Sequence, residues 1–199
     1  MRRNIFILAC TSILFLTSCI SQKTPDYTAY LFAYFEGSGE LATQEQLRFA
    51  VSADAVHWKA LNGNRPVIPS DEISQTGGIR DPHIFRGPDG AFYLAMTDLH
   101  IYAKQAGFRQ TEWERDGNKF GWVNNLGLVL MKSKDLINWT RANIRVDRLD
   151  PSLADIGCAW APETCYDPVK KKLMVHFTMR HGKEKTKLYY FYINDDFNK

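Results

Sequence analysis

Gly77-Gly78-Ile79-Arg80-Asp81-Pro82-His83-Ile84-Phe85 delivers a paired Arg and Asp onto the start of an extended segment. The two glycines permit a tight approach, and Pro82 fixes its own φ and drives Asp81 toward the extended region. The carboxylate is therefore expected where strand geometry begins. Downstream, His83 to Arg86 reads as a strand, Gly87-Pro88-Asp89-Gly90 as a turn, and Ala91 to Thr97 as the returning strand of a hairpin. Taken alone, Asp81 reads equally as an Asx turn entering a strand.

Outward from this hairpin the chain repeats itself. Tyr27 to Glu36 and Leu47 to Ser52 read as strands, and a third short one follows the turn Ala53 to Trp58. Ser52-x-Asp54-x-x-x-Trp58 has the spacing of Ser133-x-Asp135-x-x-x-Trp139, and the latter follows the alternating strand Gly127 to Ser133. The Asp of each unit is expected to be a turn residue and the Trp to be core between repeats. Asp81-Pro82 with its hairpin has an expected counterpart in Asp167-Pro168, with a turn at Lys170 to Lys172, a strand ending at Thr178 and an edge strand from Lys187 to Asn194. No stretch carries a sustained 3.6-residue apolar stripe with caps. Short strands in self-similar units predict an all-β chain built from β-propeller blades.

One segment breaks the repeat. Asp98 to Leu126 carries Tyr102, Phe108, Glu112, Trp113, Glu114, Phe120 and Trp122 among many polar residues. Such an insertion reads as a lid with aromatic faces for sugar rings, or as a self-packed surface loop.

The first residues stand apart from the fold. Arg2 and Arg3 precede an apolar run from Ile5 to Leu16, and Leu16-Thr17-Ser18-Cys19 closes it. This reads as an export signal over 1–18 whose ending resembles the bacterial lipoprotein box, with Cys19 as the lipidated residue. The run is short for a transmembrane span, so the expected state is exported and lipid-anchored to a bacterial membrane. Residues 19–27 then form a linker and 28–199 one domain of ordinary size.

Bulk properties narrow the chemistry. The chain has 25 Lys and Arg, two of them in the leader, against 22 Asp and Glu, which gives no electrostatic case for nucleic acid. Of four cysteines, Cys10 and Cys19 belong to the leader region, leaving Cys158 and Cys165. An extended chain between these two would separate their Cα atoms beyond the ~7 Å limit for a bridge, so free, buried thiols are expected. Neither cysteine spacing nor neighbouring His residues point to a metal site, and no cofactor is expected.

The order of Arg80-Asp81-Pro82-His83-Ile84, Phe92-Tyr93-Leu94, Met131 to Trp139 and Ala159-Trp160-Ala161-Pro162-Glu163 closely resembles glycoside hydrolase family 43. These are five-bladed β-propellers acting mainly on arabinose- and xylose-containing plant glycans, and the resemblance spans nearly the whole chain after the leader. It implies an inverting hydrolase, with Asp81 as the general base that activates water and a general acid about 6.5–9.5 Å away. A related family of fructan-cleaving propellers also has an Arg-Asp-Pro, in which the Asp stabilises the transition state. An ion pair between Arg80 and Asp81 would keep the base ionised. Glu163 is the candidate acid by chemistry, whereas the resemblance places the acid and its tuning Asp on later blades. Substrate-binding roles are therefore expected for Arg80, Trp122, Trp160 and Glu163, with plant cell-wall oligo- or polysaccharide as ligand. The sequence stops at Lys199 within what reads as a third blade, so the expected fold is an incomplete propeller of two blades and part of a third. The expectation is a fragment of a longer hydrolase, or a non-catalytic glycan-binding lipoprotein.

Overall fold

A computed structural model describes residues 27–37, 44–102 and 112–199 of the protein. The expected leader, the lipidation residue Cys19 and Phe108 lie outside the described residues. Ten strands are described: β1 Tyr30–Tyr34, β2 Arg48–Ser52, β3 Lys59–Ala60, β4 Ile79–Arg86, β5 Phe92–Asp98, β6 Gly127–Ser133, β7 Thr140–Arg145, β8 Ile156–Asp167, β9 Lys172–His181 and β10 Lys187–Ile193. Among the described residues, the helices with both ends described are single turns such as α1 Ser70–Ile73 and α2 Gly117–Phe120. The strands form three antiparallel meanders, β1-β2-β3, β4-β5-β6-β7 and β8-β9-β10. The first strand of each meander packs beside the first strand of the next, β1 on β4 and β4 on β8. Sheets radiating from a shared inner edge are the blades of a β-propeller, and the described residues form three of them.

The middle blade explains why its strands read as nearly continuous apolar runs. Successive side chains on a strand point to opposite faces. Tyr93, Ala95, Leu128 and Leu130 therefore pack toward the third blade with Val175, Phe177 and Met179. Leu94, Met96, Val129 and Met131 pack toward the first blade with Leu47, Phe49 and Ile79. A sheet covered on both faces has no polar side to alternate with. The outer blades are covered on one face only, and Tyr30, Phe32, Leu188 and Tyr190 are exposed.

The repeated Ser-x-Asp-x-x-x-Trp unit is a turn device, as its spacing implies. Asp54 Oδ1 accepts from the Val56 and His57 amides at 2.9 and 2.8 Å, and Asp135 Oδ1 does the same for Ile137 and Asn138 at 2.9 and 2.8 Å. Both carboxylates are held well below the usual range, Asp54 chiefly by the His57 side chain and Asp135 chiefly by the Asn138 amide. The tryptophans differ. Trp139 packs against Phe49 of the neighbouring blade, its ring centroid 6.4 Å away, as expected of an inter-blade residue. Trp58 is 43% exposed and meets Phe32 of its own blade, because its sheet is the first of the three.

A second repeat assignment needs correction. Asp167-Pro168 is the tip of the β8–β9 hairpin, where Asp167 Oδ1 accepts from the Val169 and Lys170 amides. The counterpart of Asp81-Pro82 is Ala161-Pro162. Each dipeptide interrupts the innermost strand of its blade, with the register shifting between Arg80 and His83 in one and between Trp160 and Glu163 in the other. Cys158 and Cys165, both on β8, are free, as extension implied, but only Cys158 is buried as expected and Cys165 is half-buried. Cys158 is buried, which pushes its thiol up to about 11.

Candidate active site

The site grows out of the two interrupted strands. At the first, Asp81 takes φ +50° rather than the extended conformation expected before a proline. Pro82 excludes the right-handed helical region for Asp81 and donates nothing to the ladder, and Asp is among the few residues that tolerate left-handed backbone. The outcome is a bulge, which re-aims the side chain out of the sheet. Gly78 just upstream lies so close to the next segment that a Cβ there would come within 2.7 Å of His100. At the second strand Ala161 takes φ +45°, a conformation rarer for Ala than for Asp.

Arg80 does not pair with Asp81. Its guanidinium meets Glu45 at 2.7 Å and lies over the ring of Phe35. Glu45 is fully buried and also accepts from the Ile101 and Tyr102 amides at 3.1 and 3.0 Å. Arg80 is thus committed to holding the segment after β5 against β4. Asp81 is held instead by Thr97, whose hydroxyl donates to Asp81 Oδ2 at 2.9 Å and accepts from the Ala161 amide at 2.9 Å.

Trp160 forms one wall of the site. Its indole N–H donates to the Val123 carbonyl at 3.1 Å, and the Arg180 guanidinium lies 4.8 Å from its ring centroid. Arg180 also donates to the Trp122 carbonyl at 2.7 Å, which stitches this end of the insertion to the third blade. Trp122 itself is 74% exposed and stands at the cavity mouth. The cavity has a volume of about 280 Å³, and Arg80, Asp81, Trp122, Trp160, Ala161 and Thr178 line it together with aliphatic residues of the loops. The structure therefore brings four of the expected site residues together.

Glu163 is not among the lining residues. Its carboxylate is mostly exposed and lies 3.7 Å from His176 Nε2. Nearby, His83 Nδ1 accepts from the Thr164 amide at 3.1 Å, and burial holds His83 below the usual imidazole value, partly offset by Glu163. Among the described residues no cluster of His, Cys, Asp or Glu could hold a metal ion. Glu45, Thr97, Arg180 and Thr178 were not anticipated from sequence. Thr97 could have been found by counting back through the hairpin, since it stands opposite Arg80. Glu45 sits in a segment without periodicity and offered no signal.

A family model related to glycoside hydrolase family 43, described as "Probable glycosyl hydrolase domain", matches residues 25–199. The chain belongs to this family. This glycosyl hydrolase domain is 27% identical over 171 residues to an α-L-arabinofuranosidase of Bifidobacterium longum subsp. longum, covering 81% of this chain and 14% of that protein. Among solved structures it is similar to a Bifidobacterium bifidum S17 protein provisionally described as an exo-β-1,3-galactanase. The TM-score is 0.51 at 10% identity, over 86% of this chain and 47% of that one. That likeness supports the propeller fold alone. The glycosyl hydrolase domain spans less than half the length of either protein.

Proposed function

We propose that this domain holds the general base and one wall of the sugar subsite of an inverting glycoside hydrolase. Its substrates would be arabinose- or xylose-containing plant polysaccharides. The carrying observation is the Asp81 carboxylate, aimed by a bulge at a cavity walled by Trp122 and Trp160. Aromatic faces suit the apolar faces of sugar rings, and a positioned carboxylate suits removal of a proton from water. In this reading water loses its proton to Asp81 and attacks the anomeric carbon, while a general acid about 6.5–9.5 Å away protonates the leaving oxygen. Asp81 is the only carboxylate lining the cavity among the described residues, so the acid would come from residues beyond them in a longer polypeptide. The name of the curated relative favours arabinose as the sugar released.

The single carboxylate in the cavity also favours a second reading, a glycan-binding lipoprotein without turnover. Incubating the full-length polypeptide with arabinan and arabinoxylan, and following the first-formed sugar by proton NMR, separates the two. Release of the inverted anomer is expected. Release with retention would overturn the mechanism, and binding without release would establish the second reading.

Residues 1–18 are proposed as the export signal and Cys19 as the site of lipidation. The support is the order Arg2-Arg3, the apolar Ile5 to Leu16, and Leu16-Thr17-Ser18-Cys19. No helix of the described residues is long and apolar enough to cross a membrane. Labelled fatty acid is expected to enter the wild-type protein and not Cys19→Ser; equal labelling of both would remove the anchor.

A further inference from the structure

We infer that Thr97 is a positioning residue that fixes the Asp81 carboxylate relative to the sugar-binding wall of the neighbouring blade. The inference rests on the reading of Asp81 as the general base. It starts from side-chain parity: Thr97 shares a face of β5 with Tyr93 and Ala95, the face that packs on the third blade. At this inner end of the strand the apolar pattern gives way to a hydroxyl that is fully buried.

A hydroxyl has one proton to donate, and Thr97 gives it to Asp81 Oδ2 while its oxygen receives the Ala161 N–H. The amide occupies the oxygen and leaves the O–H aimed at the carboxylate, so the two hydrogen bonds act in one direction. The Ala161 amide belongs to the bulge that follows Trp160. Thr97 therefore measures Asp81 against the strand that carries Trp160, across the boundary between blades. Without it, Asp81 would depend on its own backbone for direction, and that backbone is in a sparsely populated conformation.

The third blade supplies an internal comparison. Thr178 stands opposite Trp160 as Thr97 stands opposite Arg80, and Ala161 stands where Asp81 stands. Thr178 lines the cavity with no carboxylate beside it at the equivalent position to orient. The threonine is common to both blades, and only in the middle blade does a carboxylate accept from it.

The test compares Thr97→Val, which removes the hydroxyl at nearly constant shape, with Thr97→Ser, which keeps it, both in the full-length polypeptide. In Thr97→Val, kcat is expected to fall roughly 10- to 100-fold, the loss that a displacement of about 1 Å can cause, with KM nearly unchanged. Thr97→Ser is expected to restore most of kcat. In an Asp81→Asn background Thr97→Val should cause no further loss, because the two act as one unit. Full kcat in Thr97→Val, or equal impairment of the Ser and Val variants, would overturn the inference. An active Asp81→Asn protein would instead overturn the general-base reading on which it rests. Crystal structures give a readout independent of activity: the carboxylate is expected to leave its place in Thr97→Val and keep it in Thr97→Ser. A carboxylate unmoved in Thr97→Val overturns the inference whatever the rates. If Thr97→Val does not fold, Thr97→Cys, a weaker donor and acceptor of similar size, takes its place with the same expected outcomes.

Discussion

Asp81→Asn is expected to lower kcat of a polypeptide containing this domain by at least ~100-fold, the low end of the range for removing a general base, the role proposed for Asp81. The substitution is close to isosteric, and two features of the site predict that the fold survives it. Asn tolerates positive φ as well as Asp does, so the bulge at φ +50° adds no new strain. Its side-chain carbonyl can accept the Thr97 hydroxyl in place of Oδ2. What is lost is the capacity to take a proton from water. Steady-state kinetics with a thermal melt on the same sample checks this, and a variant with near wild-type turnover would reduce Asp81 to a turn residue.

Glu45→Ala is expected to destabilise the protein by about 3–5 kcal/mol, the cost of removing one partner of a buried ion pair. The carboxylate is at 0% exposure, and the Arg80 side chain it meets is only 20% exposed. Its loss leaves a guanidinium largely out of water, and deprives the Ile101 and Tyr102 amides of this acceptor. At ~2–4 °C per kcal/mol for a chain of this size, the melting temperature should drop by at least about 6 °C. Glu45→Leu combined with Arg80→Met should recover much of the loss, since an apolar pair of similar volume carries no buried charge. A single variant that melts within about 2 °C of wild type would show that water already screens the pair.

The parts of this protein legible in its sequence are those fixed by local chemistry. The Ser-x-Asp-x-x-x-Trp turns could be read because the carboxylate bonds amides two and three residues away, so the whole device lies within one short window. The hairpin around Gly87 to Gly90 could be read for the same reason, and its register then follows by counting. The partner of Arg80 could not be read. The neighbouring Asp81 was the natural candidate, whereas the charge that wins comes from Glu45, 35 residues upstream in the loop before β2, whose carbonyl accepts from the Ile79 amide at 2.8 Å and so lies beside the start of β4. The conformation of Asp81 was hidden because Pro82 excludes one backbone region and leaves two, and tertiary contacts with Thr97 choose between them. Glu163 stayed attractive as an acid because sequence proximity to Trp160 suggested an apolar setting. The register shift between them turns its carboxylate toward His176 and water.

The paired bulges, one before Pro82 and one before Pro162, separate aim from payload. The backbone kink, the proline and the threonine across the ladder are the same in both blades, so direction toward the cavity belongs to the architecture. What arrives there is a single interchangeable group, a carboxylate in one copy and a methyl in the other. One side chain can thus change what a blade presents to the cavity while the frame that points it inward stays untouched.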